Sequence, residues 1–231
     1  MSTPLDLSAA ARHAMAQLAA DLVRVFGDRF VALVAYGPTR AAAFASTIVA
    51  DDLEALAPLV DRWQREGLDT PLLLTPHEFE RSLDAFPLEY GAMLDRHVLV
   101  AGTSPFTAAR PSEHDLRRAC EIQAKAFLIH LRQGWVQASD HAHEQAHLLA
   151  HAAEPLRALL ANLVRLQGAA GATDADLAAF GATVTRVPVD VIARILDLQA
   201  HPERAAGSIG EMNAWLGFAE QLWAYVDGWQ A

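Results

Sequence analysis

The chain has a single cysteine, Cys120, and a single lysine, Lys125. One thiol excludes an internal disulfide and a thiolate zinc cluster. Its place among helical apolar residues fits a small buried side chain rather than a reactive nucleophile. Long apolar runs are missing too: no stretch reaches the roughly 18 apolar residues of a membrane-spanning helix. The opening MSTPLDLSAAARHAMAQLAADLVRVFG has polar or charged residues every few positions and lacks the apolar centre of a signal peptide, so the cytoplasm is the expected location. Cations are scarce as well. Eighteen Lys and Arg against 28 Asp and Glu give a formal charge of −10, which argues against nonspecific nucleic-acid binding and leaves a single nucleotide or other small molecule as the ligand class. Arginine in place of lysine, with abundant alanine, is the composition of a GC-rich bacterial genome.

What the chain does contain is apolar material in two kinds of pattern. Hydrophobic residues make up 52% of 231, without low-complexity tracts, enough for one large domain or two small ones to bury a core. From Leu7 to Phe26 the apolar residues Leu7, Ala11, Ala14, Leu18, Leu22 and Val25 recur every three or four positions, predicting a helix that Gly27 ends. FVALVAY, Phe30 to Tyr36, reads as a buried strand entering a tight turn at Gly37-Pro38. A second strand is expected over 43–50, followed by a helix from Leu53 to about Glu66 with Asp51 and Asp52 in its N-cap region. Leu72-Leu73-Leu74 is a third strand. Thr75-Pro76-His77-Glu78 then supplies an N-cap threonine, an N1 proline and an N3 glutamate. Phe86 to Met93 and His97 to Ala101 read as two more strands, so the first hundred residues alternate helix and strand.

Beyond Pro105 and Pro111 the periodicity becomes helical throughout. Helices are expected at about 113–137, 141–167 with a break at Pro155, 174–182, 188–200 and 209–229. The fold class is therefore α+β followed by all-α: a mixed-sheet domain over 1–108 and a helical bundle over 109–231. In the last helix Met212, Trp215, Ala219, Leu222, Val226 and Trp229 form one stripe, bundle core or dimer seam. With Trp215, Trp223 and Trp229 it offers more apolar surface than a small bundle needs, and a homodimer is expected.

The order helix, strand ending in Tyr36-Gly37, second strand, helix and further strands resembles the nucleotidyltransferase fold of the DNA polymerase beta superfamily. With the helical half behind it, the chain resembles kanamycin nucleotidyltransferase and related bacterial proteins. DDLEALAPLVDRW, TPLLLTPHEFERSLDAFPLEYGAMLDRHVLVAGTSPF and AKAFLIHLRQGW look like segments of uncharacterised bacterial members of this group. The resemblance implies a Gly-Ser turn that grips phosphate, an Asp-x-Asp or Asp-x-Glu pair on the second strand and a third carboxylate on a later strand, together holding Mg²⁺ against a nucleoside triphosphate.

The chain departs from that pattern. Gly37 is followed by Pro38, which removes the serine hydroxyl and one backbone donor, and the second strand carries no carboxylate. Asp52-Leu53-Glu54 has the literal Asp-x-Glu form, but Leu53, Leu56, Leu59, Val60 and Trp63 continue at helical spacing. That places Asp52 and Glu54 in a first helical turn, where residues two apart do not face one site. Glu89 matches the third carboxylate, inside an apolar strand. The catalytic candidates are thus Asp52, Glu54 and Glu89; the nucleotide-binding candidates are Gly37, with Lys125 and Arg132, which share a face of the first helix of the second domain. The favoured reading is a catalytically degenerate member acting as a ligand-binding or protein-interaction module, with no cofactor and no metal residues. The alternative is an active Mg²⁺-dependent enzyme moving a nucleotidyl group to a small acceptor.

Two further constellations read as structural. His143, His147 and His151 stand at successive i, i+4 positions beside His141, but the core side of that helix lies nearly opposite, so they are expected in solvent, with chelation between His143 and His147 as the sharper reading. Arg194 and His201 fit the Arg, four to six residues, His spacing of the ribonuclease members of the HEPN domains, which this helical half resembles in size, but Pro202 puts that histidine at a helix end.

Overall fold

The computed structural model describes residues 5–138, 141–169 and 172–228. The chain divides into two compact units, Met1–Pro111 and Ser112–Ala231. The first combines helices with a four-stranded mixed sheet; the second is helical. No helix among the described residues is long and apolar enough to cross a membrane.

Helix α1 (Ala9–Phe26) begins where the Ser8 hydroxyl accepts from the Ala11 amide at 3.1 Å and ends at Gly27, whose φ of 56° suits a residue without Cβ. Its fully buried Met15, Leu18 and Leu22 are each worth about 1.5–3 kcal/mol relative to exposure. Strands β1 (Phe30–Ala35) and β2 (Ala41–Ala45) form an antiparallel pair, with Ala35 opposite Ala41 at the turn and Phe30 opposite Ala45 at the other end. Strand β3 (Leu72–Leu74) adds in parallel to β2, and β4 (Val98–Gly102) in antiparallel to β1, giving the order β3-β2-β1-β4.

Both sheet faces are covered. Leu33, Ala35 and Ala43 share a core with Leu18, Leu22 and Trp63, whereas Ala32, Val34, Ala42 and Phe44 share one with Phe79, Tyr90 and Met93. This is why the two central strands are apolar at every position instead of alternating. At the end of β4, Gly102 has φ +84°, and a Cβ there would stand 2.1 Å from the Val31 carbonyl oxygen.

Two expected strands are corrected. The second is shorter than 43–50: β2 stops at Ala45, and helix α2 (Ala50–Leu56) starts where Asp52 Oδ2 accepts from the Val49 amide at 2.9 Å. A second stretch of helix, α3 (Val60–Arg65), continues toward Gly67. The stretch 86–93 is not a strand but the body of helix α5 (Pro87–Asp95), which follows α4 (Pro76–Arg81) with its Thr75–Glu78 capping box. Pro87 presets the first helical turn and has no N–H to give a ladder. Tyr90, Met93 and Leu94 then bury one helical face. Glu89 therefore lies in a helix's first turn.

In the second unit, α6 (Glu113–Gln137), α7 (Ala142–Leu166), α8 (Asp174–Thr185), α9 (Val189–Asp197) and α10 (Met212–Asp227) build one core. No break occurs at Pro155. It sits on the exposed side of α7, and the helix runs through it. Met212, Trp215, Ala219, Leu222 and Val226 are all buried. The stripe that suggested a dimer seam thus faces the bundle's own interior; Trp229 lies outside the described residues, and Trp223 is half-buried.

Candidate functional site

The turn joining β1 to β2, Tyr36 to Arg40, is the place the glycine motif points to. The Tyr36 amide donates to the Arg40 carbonyl at 3.1 Å, closing the turn, and Gly37 lies buried within it. The Arg40 guanidinium sits over the Tyr36 ring, 5.3 Å from its centroid. Thr39 Oγ1 donates to Asp69 Oδ2 at 2.7 Å while the Asp69 amide donates to the Thr39 carbonyl at 3.0 Å, so the turn is tied to the loop before β3.

Burial, then the nearby Glu89 carboxylate, push the Tyr36 phenol above its ordinary range, against the pull of Arg40. Burial and the same Glu89 raise Tyr90. Both phenols therefore stay protonated near neutrality and can donate hydrogen bonds. Glu89 and the turn thus share one end of the sheet. Tyr36, Arg40 and Asp69 were not among the sequence candidates. Tyr36 and Arg40 were legible as neighbours of Gly37, whereas Asp69 is brought in only by the pairing of β3 with β2.

Asp52 and Glu54 lie elsewhere. Strand β2 leaves the turn at Ala41 and reaches α2 only after Ala45. At about 3.3 Å per residue, its length alone separates the turn from that end by about 13 Å. There Asp52 is buried at 4% exposure, and Arg29 grips both its oxygens: Nη1 donates to Oδ2 at 2.7 Å and Nη2 to Oδ1 at 2.6 Å. The Val49 amide takes a further lone pair of Oδ2. The Arg29 hydrogen bonds and then the Val49 amide hold the Asp52 carboxyl down to about 2. Such a carboxylate is a fastener between the start of α2 and the turn Gly27–Arg29 that joins α1 to β1. Asp51 and Glu54 are exposed on α2. Among the described residues no pair of carboxylates shares a strand, and Glu89 is at the opposite end of the sheet from Asp52.

A second fastener went unnoticed in the sequence. Asp21 of α1 is buried and accepts from Trp63 Nε1 at 2.9 Å, from Arg24 at 3.2 Å and from Arg62, bracing α1 against α3.

In the helical unit, both candidate cations have acidic partners. Lys125 pairs with Glu121 and, at 2.7 Å, with Asp227, and its ammonium lies 5.6 Å from the Trp223 ring centroid. Arg132 pairs with Glu220 at 2.5 Å. Arg194 is held by Asp190 and Glu211, each at 2.8 Å, and His201 lies 3.4 Å from Glu203. Burial pushes the Cys120 thiol up to about 12, against a weaker pull from Arg165, which leaves it inert as a nucleophile. His147 and His151 meet, with Nε2 atoms 3.0 Å apart, one turn further along α7 than the His143–His147 pair. Among the described residues, no group of three or more His, Cys, Asp and Glu side chains is arranged to hold a metal ion.

Comparison with protein-family models, curated proteins and solved structures yields no match to this chain.

Proposed function

We propose that this chain is a nucleotidyltransferase-like binding module in which the metal-dependent transfer chemistry has been lost. The observation that carries this reading is the composition of β2: Ala41, Ala42, Ala43, Phe44 and Ala45 are all buried and apolar on the strand where the resemblance puts the metal pair. Two supports accompany it. Asp52, the nearest acidic residue of Asp-x-Glu form, is engaged on both oxygens by Arg29. Glu89 and Asp69 both act on Tyr36, but neither stands on a strand, and Asp69 accepts from the Thr39 hydroxyl. Phosphoryl chemistry of this kind depends on cations clamped between converging carboxylates and the phosphates, and among the described residues no group of three donors is arranged to make that clamp.

Two surfaces among the described residues suit this reading. The β1–β2 turn presents the Tyr36 hydroxyl and the Arg40 guanidinium, a donor set suited to a small anionic ligand. In the helical unit, α6 exposes Ile122, Ile129 and Val136, seven residues apart and 60%, 51% and 72% accessible, an apolar line suited to a partner helix. Self-association, if the partner is a second copy, would use this line and not α10.

The test is incubation of the purified chain with a labelled nucleoside triphosphate, Mg²⁺ or Mn²⁺ and a panel of small hydroxylated or aminated acceptors. No metal-dependent transfer above the protein-free blank is expected. Transfer that requires Mg²⁺ and disappears in Glu89→Gln would overturn the reading and establish an active enzyme.

A further inference from the structure

The first turns of α7 carry an arrangement that the reading above does not use. His147 and His151 are one helical turn apart, so their rings share a face. Their Nε2 atoms are 3.0 Å apart, and their ring centroids are only 4.1 Å apart, inclined at 50°. The contact is a hydrogen bond in which one ring nitrogen donates to the other, the roles being set by the tautomer. An ion that takes the place of the shared proton, which leaves to solvent, meets both nitrogens at once.

Both residues line a hollow. Glu144, His147, Leu148 and His151 of α7, with Gly134 and Gln137 of α6, line an open cavity of about 340 Å³. Gly134 and Leu148, both in its lining, approach closely: a Cβ on the glycine would stand 2.6 Å from Leu148 Cδ1. Both histidines are exposed, so an ion reaches them without a conformational change.

We propose that His147 and His151 form a bidentate chelate for a divalent late first-row transition-metal ion. Water fills the remaining positions, and Glu144 accepts a hydrogen bond from a bound water. Nitrogens 3.0 Å apart, each at the usual 2.0–2.1 Å from a metal, subtend about 95° at the ion. This is close to the cis angle of square-planar or octahedral coordination and short of a tetrahedral angle, which favours Cu²⁺ and Ni²⁺ over Zn²⁺. Imidazole donors also disfavour Mg²⁺ and Ca²⁺, which take oxygen ligands. The chain supplies two direct ligands, consistent with no trio of donors converging among the described residues. Glu144 offsets the positive charge from the outer sphere, as carboxylates do around bound waters. The inference concerns the helical unit alone and stands or falls independently of the proposal for the β1–β2 turn.

The experiment uses the untagged, chelator-treated full chain titrated calorimetrically with NiCl₂, and in separate runs with CuCl₂, ZnCl₂ and MgCl₂. One Ni²⁺ or Cu²⁺ per chain at micromolar concentration is expected, with weaker Zn²⁺ binding and no Mg²⁺ binding. Ni²⁺ should also raise the thermal midpoint, because it binds only the folded helix face. His147→Ala and His151→Ala should each weaken binding at least about tenfold, and Glu144→Gln by about tenfold. All three side chains are exposed, so circular dichroism should report unchanged folding. Cu²⁺ bound to the wild type should show two coupled nitrogens by electron paramagnetic resonance. Absence of uptake below millimolar metal, or stoichiometric uptake that survives in the double variant H147A/H151A, would overturn the proposal.

Discussion

Asp52 shows how an acidic residue in a promising motif is claimed by the fold. Its carboxyl is held at about 2 against an ordinary 3.8, chiefly by Arg29. A carboxylate whose folded-state value lies below its unfolded value adds stability in full above about pH 4, and that contribution is lost as pH falls toward 2. Comparing urea midpoints of the wild type and Asp52→Asn at stepped pH checks this. The wild type should be the more stable at pH 6, with the gap closing between about pH 4 and 2; a gap independent of pH would show that Asp52 is not the fastener described. Gly102 is a second position where one atom decides. Alanine there must adopt φ +84° and bring its Cβ against the Val31 carbonyl, so Gly102→Ala should cost at least about 1–3 kcal/mol in chemical denaturation. A neutral result would mean that the β1–β4 edge relaxes freely.

Apolar stripes of similar appearance on two helices have opposite fates. In α10 the stripe is core: Trp215 is fully buried, and Trp215→Ala should cost about 3–5 kcal/mol. In α6 the line Ile122, Ile129, Val136 is surface, and Ile129→Asp should change stability by no more than about 0.5 kcal/mol. Thermal or urea midpoints of the two variants distinguish the assignments, and a strongly destabilised Ile129→Asp would show that α6 is covered. Helix α4 owes its start to one local device, the reciprocal bonds between Thr75 and Glu78. Thr75→Ala should therefore cost about 1 kcal/mol. By contrast, α5 overrides an apolar run that reads as a strand, because Pro87 cannot donate to a sheet while Tyr90, Met93 and Leu94 bury one side of a helix.

For the chain as a whole, the sheet's length separates the chemistry. The β1–β2 turn with Tyr36, Arg40 and the neighbouring Glu89 occupies one end, and Arg29 with Asp52 the other. A net charge of −10 adds a long-range bias against polyanionic partners. The binding reading accordingly expects any nucleotide affinity of this chain to be insensitive to Mg²⁺. Calorimetry with and without the ion checks it; a tenfold gain on adding Mg²⁺, lost in Glu89→Gln, would count against it.

The parts of this molecule that the amino-acid sequence determined are those whose causes lie within a few residues. The Thr75 cap, the stop at Gly27, the apolar strand 30–35 and the helical periodicity beyond Pro111 all depend on neighbours along the chain. The departures from the nucleotidyltransferase pattern, Pro38 after Gly37 and a second strand without carboxylates, were legible in the same way. What only the tertiary structure decided depends on residues far apart meeting in space: Arg29 with Asp52, Asp21 with Trp63, Asp69 with Thr39, and which apolar stripe faces the core. Hydrophobic periodicity marks a face as apolar but does not say what covers it. A carboxylate in a sequence motif does not show whether a metal or an arginine will stand opposite, because that partner is chosen by packing.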